Sequence, residues 1–500
     1  MEEKFKLLKA KLAELAGIGM SMAVLGWDQQ VNLPPGGAED RGHALSVLAG
    51  IAHEKGTSEE YGKLLDELEG YQKTLKPDSD EYRIIKVAVR DYRKNTKISA
   101  EWVEEWAMAT TLGQSAWEKA KHENNFKHFR PHLEKIVELR RQYASFFTPY
   151  AHVYDPLLDD FEPGMKTAEV KDIFDVLRPR QVALIKAIAA KPQVDDSFLH
   201  TTYPEKGQWD FGVDVITRFG YDWDRGRQDK SVHPFTQSFG IGDVRITTHF
   251  YEDRAESSLF STMHEAGHAM YEQGIDRKYS YTPLATGASM ALHESQSRMW
   301  ENLVGRSKAF WKFFYPRLQA IFPTQIGNVS MEAFYKGINK VQPSLIRVEA
   351  DEATYNMHVM LRLELEIALM EGTLKVKDLP DAWNTKMKEY LGVVPPTDAL
   401  GVLQDVHWSG GMIGYFPTYA LGNLVSAQLW EKINKDIPRL EDQISKGEFN
   451  HLLDWLRKNI HQYGAKYEPQ EMVQRVTGSK IDPNPYIRYL ETKFGEIYGL

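Results

Sequence analysis

Not one cysteine occurs in the 500 residues of this chain. That absence removes disulfides, thiolate metal ligands and a cysteine nucleophile, and it fits a reducing compartment. Any metal must be held by histidine, aspartate or glutamate. Long apolar runs are missing too. The stretch LAGIGMSMAVLGW, Leu15 to Trp27, follows Lys9 and Lys11 like a leader. It is too short to span a bilayer, Glu2, Glu3 and Glu14 stand before it, and no small-residue cleavage site follows. The expectation is a buried helix in a mature cytoplasmic protein without a membrane partner. Positive charge is not in excess either: 61 Lys and Arg against 70 Asp and Glu leave a formal net charge of −9, which argues against a nucleic-acid partner. No repeat, low-complexity tract or Pro/Ser linker interrupts the chain. A single mostly helical domain over residues 1–500, with internal lobes, is expected.

What is present is helix after helix. KFKLLKAKLAELAG places Phe5, Leu8, Leu12 and Leu15 on one stripe, and Gly17 offers a stop. LPPGG at 33–37 is a breaker. Thr57 and Glu60 have capping-box spacing ahead of KLLDELEGY. Amphipathic segments follow at 79–95, 99–121, 126–147 and 167–190. The pattern changes near residue 231. Val244, Ile246, Thr248 and Phe250 alternate with Arg245, Thr247 and His249 after the turn-forming GIGD, which predicts a small antiparallel sheet. Helix resumes near Glu256.

That helix carries STMHEAGHAMYEQG, Ser261 to Gly274. His264 and His268 lie four apart, one turn above each other on one face, so both imidazoles can reach one ion. Glu265 lies about 100° further round, where its carboxylate can serve as a base without being a ligand. Met263, Ala266, Ala269 and Met270 surround them with apolar side chains, as a buried helix requires. Gly267 disfavours helix by about 1 kcal/mol against alanine, so a close packing contact is expected there. A catalytic metal of this class keeps a third protein ligand. The segment ALHESQSRMWENLVG, 291–305, offers His293, Glu294 and Glu301. Glu294 is preferred because a carboxylate on the next helix suits a His₂Glu set, and Glu301 is expected to be dispensable; the residues alone leave the choice open.

Six motifs in order make the chain similar to the thermostable, Taq-type metallocarboxypeptidases: HPF at 233–235, DVRIT at 243–247, HEAGH at 264–268, HESQ at 293–296, IRVEAD at 346–351 and GVLQDVHW at 401–408. VLGWDQQVNLP near the start and the late GYFPTYALG also look like the family. The resemblance implies a mostly α fold like that of neurolysin and angiotensin-converting enzyme, with a small sheet and a deep active-site cleft between two lobes. It implies a homodimer with one divalent ion per subunit, Zn2+ or Co2+. It implies release of single residues from peptides with a free C-terminal carboxylate, with broad specificity and little action on proline. Glu294 becomes the third ligand.

Other roles follow from the resemblance. Arg347 is the candidate anchor for the substrate carboxylate, since arginine offers a bidentate fork; Asp351 orients a neighbour. His407 with Tyr419, or less favourably Tyr415, donates to the oxyanion. His233 and Arg245 shape the closed end of the groove. Asp405 is a candidate support for an active-site histidine. The rival enzyme is a zinc oligo-endopeptidase with the same centre. A non-catalytic scaffold with a vestigial site is the rival of another class, and the intact Glu265 speaks against it.

Overall fold

A computed structural model describes residues 1–500, with the side chains of residues 35 and 100 left aside. Twenty-one α-helices and three short strands make up the described chain. The periodic segments form helices close to where their pattern places them: Asp80–Asn95, Ala100–His122, Phe126–Ser145 and Thr167–Ala189. Ser79, Ser99 and Asn125 each accept a first-turn backbone N–H through the side chain, supplying amides that lack a helical carbonyl.

The N-terminal expectations need correcting. Gly17 does not stop the first helix, which runs Glu2–Val31. Its backbone continues the helix at a propensity cost of about 1 kcal/mol. The stretch from Leu15 to Trp27 is helical, but only Trp27 within it is buried. Ile18, Met20, Met22 and Leu25 are only half-buried and Val24 is exposed. The chain does break at LPPGG, where a 3₁₀ turn, Pro35–Gly37, leads into the helix Ala38–Thr57, which has no buried residue. The next cap falls one residue later than predicted: Ser58 Oγ accepts from Tyr61 N at 3.3 Å.

Two compact units emerge, each assembled from three separate segments. Met1–Thr96, Asp195–Ile338 and Leu429–Thr477 form the first; Lys97–Val194, Asn339–Gln428 and Gly478–Leu500 form the second. Because the units are woven from distant segments, no linker composition marks their boundaries.

The sheet belongs to the first unit. Strands β1 (Gln228–Lys230), β2 (Thr236–Ser238) and β3 (Val244–Thr248) lie in the order β1-β3-β2. β2 pairs antiparallel with β3, but β1 pairs parallel, Gln228 opposite Ile246. The sheet is therefore mixed rather than antiparallel. β2 turns straight back into β3 and takes one edge, leaving the other edge to a strand that arrives in the same direction. Val244 and Ile246 are fully buried, and Thr248 Oγ1 meets Thr262 Oγ1 at 3.0 Å, tying β3 to the helix Ala255–Gln273. The core of the second unit is the helix Tyr355–Glu371, buried along most of its length. Among the described residues, no helix is long and apolar enough to cross a membrane.

Candidate active site

The helix Ala255–Gln273 presents His264 and His268 on one face, and the next α-helix, Met290–Arg298, supplies Glu294. His264 Nε2 and His268 Nε2 lie 3.7 and 3.6 Å from Glu294 Oε2. One ligand atom from each of the three lies within 4.8 Å of the others. Gly267 makes this approach possible. A Cβ there would stand 2.6 Å from Ser297 Cα and 2.9 Å from the Gln296 carbonyl, so any side chain would force the two helices apart.

The far sides of both rings are occupied. His264 Nδ1 is 2.9 Å from Glu301 Oε2, and His268 Nδ1 is 3.0 Å from His293 Nδ1. Arg298 Nε donates to Glu294 Oε1 at 2.6 Å and Arg298 Nη1 to Glu301 Oε2 at 3.0 Å. The Glu294 oxygen that faces the two Nε2 atoms is thus the one Arg298 Nε does not take. Two imidazole nitrogens and one carboxylate oxygen suit a divalent ion that retains an open position, so the donor set fits the metal implied by its motifs. Past Arg298 the helix widens into a π turn, Met299–Val304, with Gly305 N donating to Trp300 O at 2.9 Å; such turns concentrate at functional sites.

Burial opposes ionisation of Glu294, but Arg298, His264 and His268 outweigh it and hold the carboxyl far below its ordinary range. Against the same burial penalty, Arg298 and His264 bring Glu301 down to about 2. Both are therefore anionic at neutral pH. The histidines diverge. Burial disfavours the charged ring in each case, yet Glu294 and Glu301 raise His264, whereas His268 is lowered. Glu301 stands outside the candidate ligand group, as the sequence reading expects, and its Oε2 faces His264 Nδ1.

Glu265 stands outside the ligand group. It is 7% exposed, and its Oε2 lies 2.7 Å from Thr236 Oγ1, which is also 2.9 Å from the Glu265 carbonyl. Thr236 was not singled out in the sequence; its only signal is its place directly after HPF. His233 is exposed, with Nδ1 2.8 Å from the Pro234 carbonyl. Arg245 makes two 2.8 Å bonds to Asp243 and stacks 4.7 Å from the ring centroids of both Trp27 and Phe239. Its charge is engaged by structure at the sheet rather than by the metal cluster.

Arg347 lies in the second unit and is 4% exposed. Nε and Nη2 donate to Asp405 at 3.0–3.3 Å, and Nη1 donates to Tyr355 Oη at 2.8 Å. Arg362, fully buried, also donates to Asp405. Burial works against the Asp405 anion, but Arg362 and Arg347 hold it far below the carboxylate range. Burial lowers Arg362 to about 10 despite Asp405. Gln404 Oε1 accepts from both Arg347 N and Arg362 Nη2 at 2.9 Å. Asp405 therefore serves the arginines; it stays 3.9 Å from His407 Nδ1, outside hydrogen-bond reach. Asp351 accepts backbone N–H bonds from Gln342, Ala353 and Thr354 at 2.9–3.0 Å, so it orders its own loop.

His407 Nε2 is 3.4 Å from Tyr419 Oη, and the rings of His407 and Tyr415 lie 5.6 Å apart between centroids. The loop after His407 is held by Glu366, fully buried, which accepts from Trp408 Nε1 at 2.7 Å and Gly414 N at 3.0 Å. Sequence reasoning missed Glu366, which sits in the largely buried helix Tyr355–Glu371.

A helical scaffold with one small sheet, an HExxH helix and a glutamate ligand candidate on the next α-helix defines a class of metallopeptidases. The profile of the family described as "Carboxypeptidase Taq (M32) metallopeptidase" matches residues 7–494, and the chain belongs to that family. It is 40% identical over 497 residues to "Thermostable carboxypeptidase 1" of Thermus thermophilus, covering 97% of each chain. It is 37% identical over 502 residues to "Carboxypeptidase 1" of Bacillus subtilis, covering 100% of this chain and 99% of that one. Among solved structures it is similar to the M32 carboxypeptidase from Deinococcus radiodurans, with a TM-score of 0.96, 42% identity and 100% coverage of both chains. The protein is thus a metallocarboxypeptidase, a hydrolase that releases C-terminal residues from peptides with the help of a divalent metal.

Proposed function

We propose that His264, His268 and Glu294 hold a single zinc or cobalt ion and that Glu265 is the general base. The ion, when bound, supplies Lewis acidity at the scissile carbonyl and makes water a better nucleophile. Glu265 takes a proton from the attacking water and hands it to the departing amine. The observation that carries this reading is the position of Glu265: it shares a helix with two ligands, yet its carboxylate is held by Thr236 outside the ligand group. His407 and Tyr419 donate to the oxyanion. Arg347 receives the terminal carboxylate of the substrate; its guanidinium and that of Arg362 are both buried and both pair with Asp405. His233, in the loop between β1 and β2, and Arg245, on β3, act as determinants of substrate length. The working form is a homodimer in the cytoplasm, supported by the family resemblance and the cysteine-free composition; light scattering checks the dimer.

The test is Glu265→Gln. It should retain stoichiometric metal and lose kcat by about 10²–10⁴-fold, the usual contribution of a positioned acid–base group. Full turnover in a folded, metal-loaded variant would refute the assignment.

A further inference from the structure

The two ligand histidines are supported unequally. His264 Nδ1 faces the Glu301 carboxylate directly. His268 Nδ1 instead faces another imidazole nitrogen, His293 Nδ1, at 3.0 Å. A contact of this kind needs a proton on one nitrogen and a lone pair on the other, and the pair itself does not choose between them. The choice is made one link further out. His293 Nε2 is 2.6 Å from Glu272 Oε1, and an ionised carboxylate only accepts. A neutral His293 facing that carboxylate carries its single proton on Nε2 and offers a lone pair at Nδ1. His268 must then be protonated at Nδ1, which leaves its Nε2 bare and turned toward Glu294 Oε2, 3.6 Å away. The opposite arrangement would place an N–H of His268 in the metal site and block coordination.

The outer links are fixed in place. Glu272 is 3% exposed, and the same Oε1 accepts from Gly287 N at 3.0 Å and Thr286 Oγ1 at 3.4 Å. Gly287 forms the socket for the second ring: a Cβ there would stand 2.4 Å from His293 Cδ2 and 2.8 Å from His293 Nε2. His293 precedes Glu294 in the same helix, so one element delivers both a ligand candidate and the support for another. We infer that Glu272, His293 and Gly287 form a positioning relay that selects the metal-binding tautomer of His268 before metal arrives, and thereby sets the affinity of the site. This inference rests on the proposed metal ligands.

Competition with a chromophoric chelator gives the zinc affinity of the wild type, His293→Phe and Gly287→Ala, with thermal melts checking that each is folded. Both variants should bind zinc about 10–100-fold more weakly, the usual effect of losing an outer partner of a ligand. Gly287→Ala alters no ionisable group, so its loss would come from displacing the ring. Nitrogen-15 spectra of histidine-labelled, metal-free wild type, with His268 assigned by His268→Gln, should show His268 protonated at Nδ1. Wild-type affinity in both folded variants, or an Nε2–H tautomer of His268 in the metal-free wild type, would overturn the relay. A wild type that takes up no zinc would instead overturn the metal ligands themselves, and that result appears before any variant is made.

Discussion

Around the proposed metal ligands of the first unit, the carboxylates of Glu265, Glu272, Glu294 and Glu301 stand against the guanidinium groups of Arg298 and Arg306. In the second unit, Arg347 and Arg362 share the carboxylate of Asp405, while burial pushes the nearby Glu366 toward its neutral form. One cluster has an excess of buried negative charge and the other an excess of buried positive charge. Unpaired charge in a poorly solvated place is costly, which supports the proposal of a dication at the first cluster and a peptide's terminal carboxylate at the second. The comparison also separates two uses of the same pairing: Arg298 keeps carboxylates ionised for use as ligand and orienter, whereas Asp405 keeps arginines in place.

The largest effect should come from removing a ligand. Glu294→Ala leaves Arg298 and both imidazoles without their shared anion, and metal analysis should find occupancy near background; full occupancy would move the third ligand elsewhere. Glu301→Gln should be milder. The amide can still accept from His264 Nδ1 but loses its charge, so metal affinity should weaken by about 10–100-fold with the ligands intact. Unchanged affinity would show that Glu301 does not support the metal site. Gly267→Ala should lower the melting temperature, with a penalty of about 1–3 kcal/mol for overpacking against Ser297, and should also lower metal affinity by moving Glu294 away from the histidines.

A smaller effect is expected on the positive side. Burial pushes Glu366 from an ordinary 4.5 up to about 7, despite the donors Tyr154 and Trp408. A raised carboxyl means that the folded protein holds the proton more tightly than the unfolded chain. Its stabilising contribution is complete below pH 4.5 and is lost as pH rises toward 7, by about 3 kcal/mol in all. Glu366→Gln, neutral throughout, should flatten that part of the stability–pH curve. A difference curve that is level across this interval would show that Glu366 is already ionised by its donors.

Periodicity and local chemistry made much of this legible. The helices after residue 79 follow apolar repeats, and the HExxH spacing placed His264, His268 and Glu265 correctly relative to one another. Gly267 could be read as a close contact because it costs helix stability for no local gain. Three things were not legible. The apolar Ile18, Met20, Met22, Val24 and Leu25 do not say whether their helix is buried, because that depends on what packs against it from elsewhere in the chain. Strand direction at β1 depends on pairing partners far apart in sequence. The orienting contacts, Glu301 with His264, Glu272 with His293 and Asp405 with Arg347, are made across elements, and a carboxylate in a helix pattern carries no mark of the partner it will meet.

The claim that most needs testing is that the positive cluster recognises the terminal carboxylate and so confines cleavage to the last peptide bond. It is tested by kcat/KM for wild type and Arg347→Ala on one peptide in two forms, free acid and C-terminal amide, at equal metal loading. Wild type should prefer the free acid strongly. Arg347→Ala should lose about 30-fold or more on the acid, as when one partner of a buried charge pair is deleted, and hardly change on the amide, so that the preference collapses. Equal losses on both forms, or a wild type indifferent to amidation, would contradict the account and favour an endopeptidase with the same metal centre.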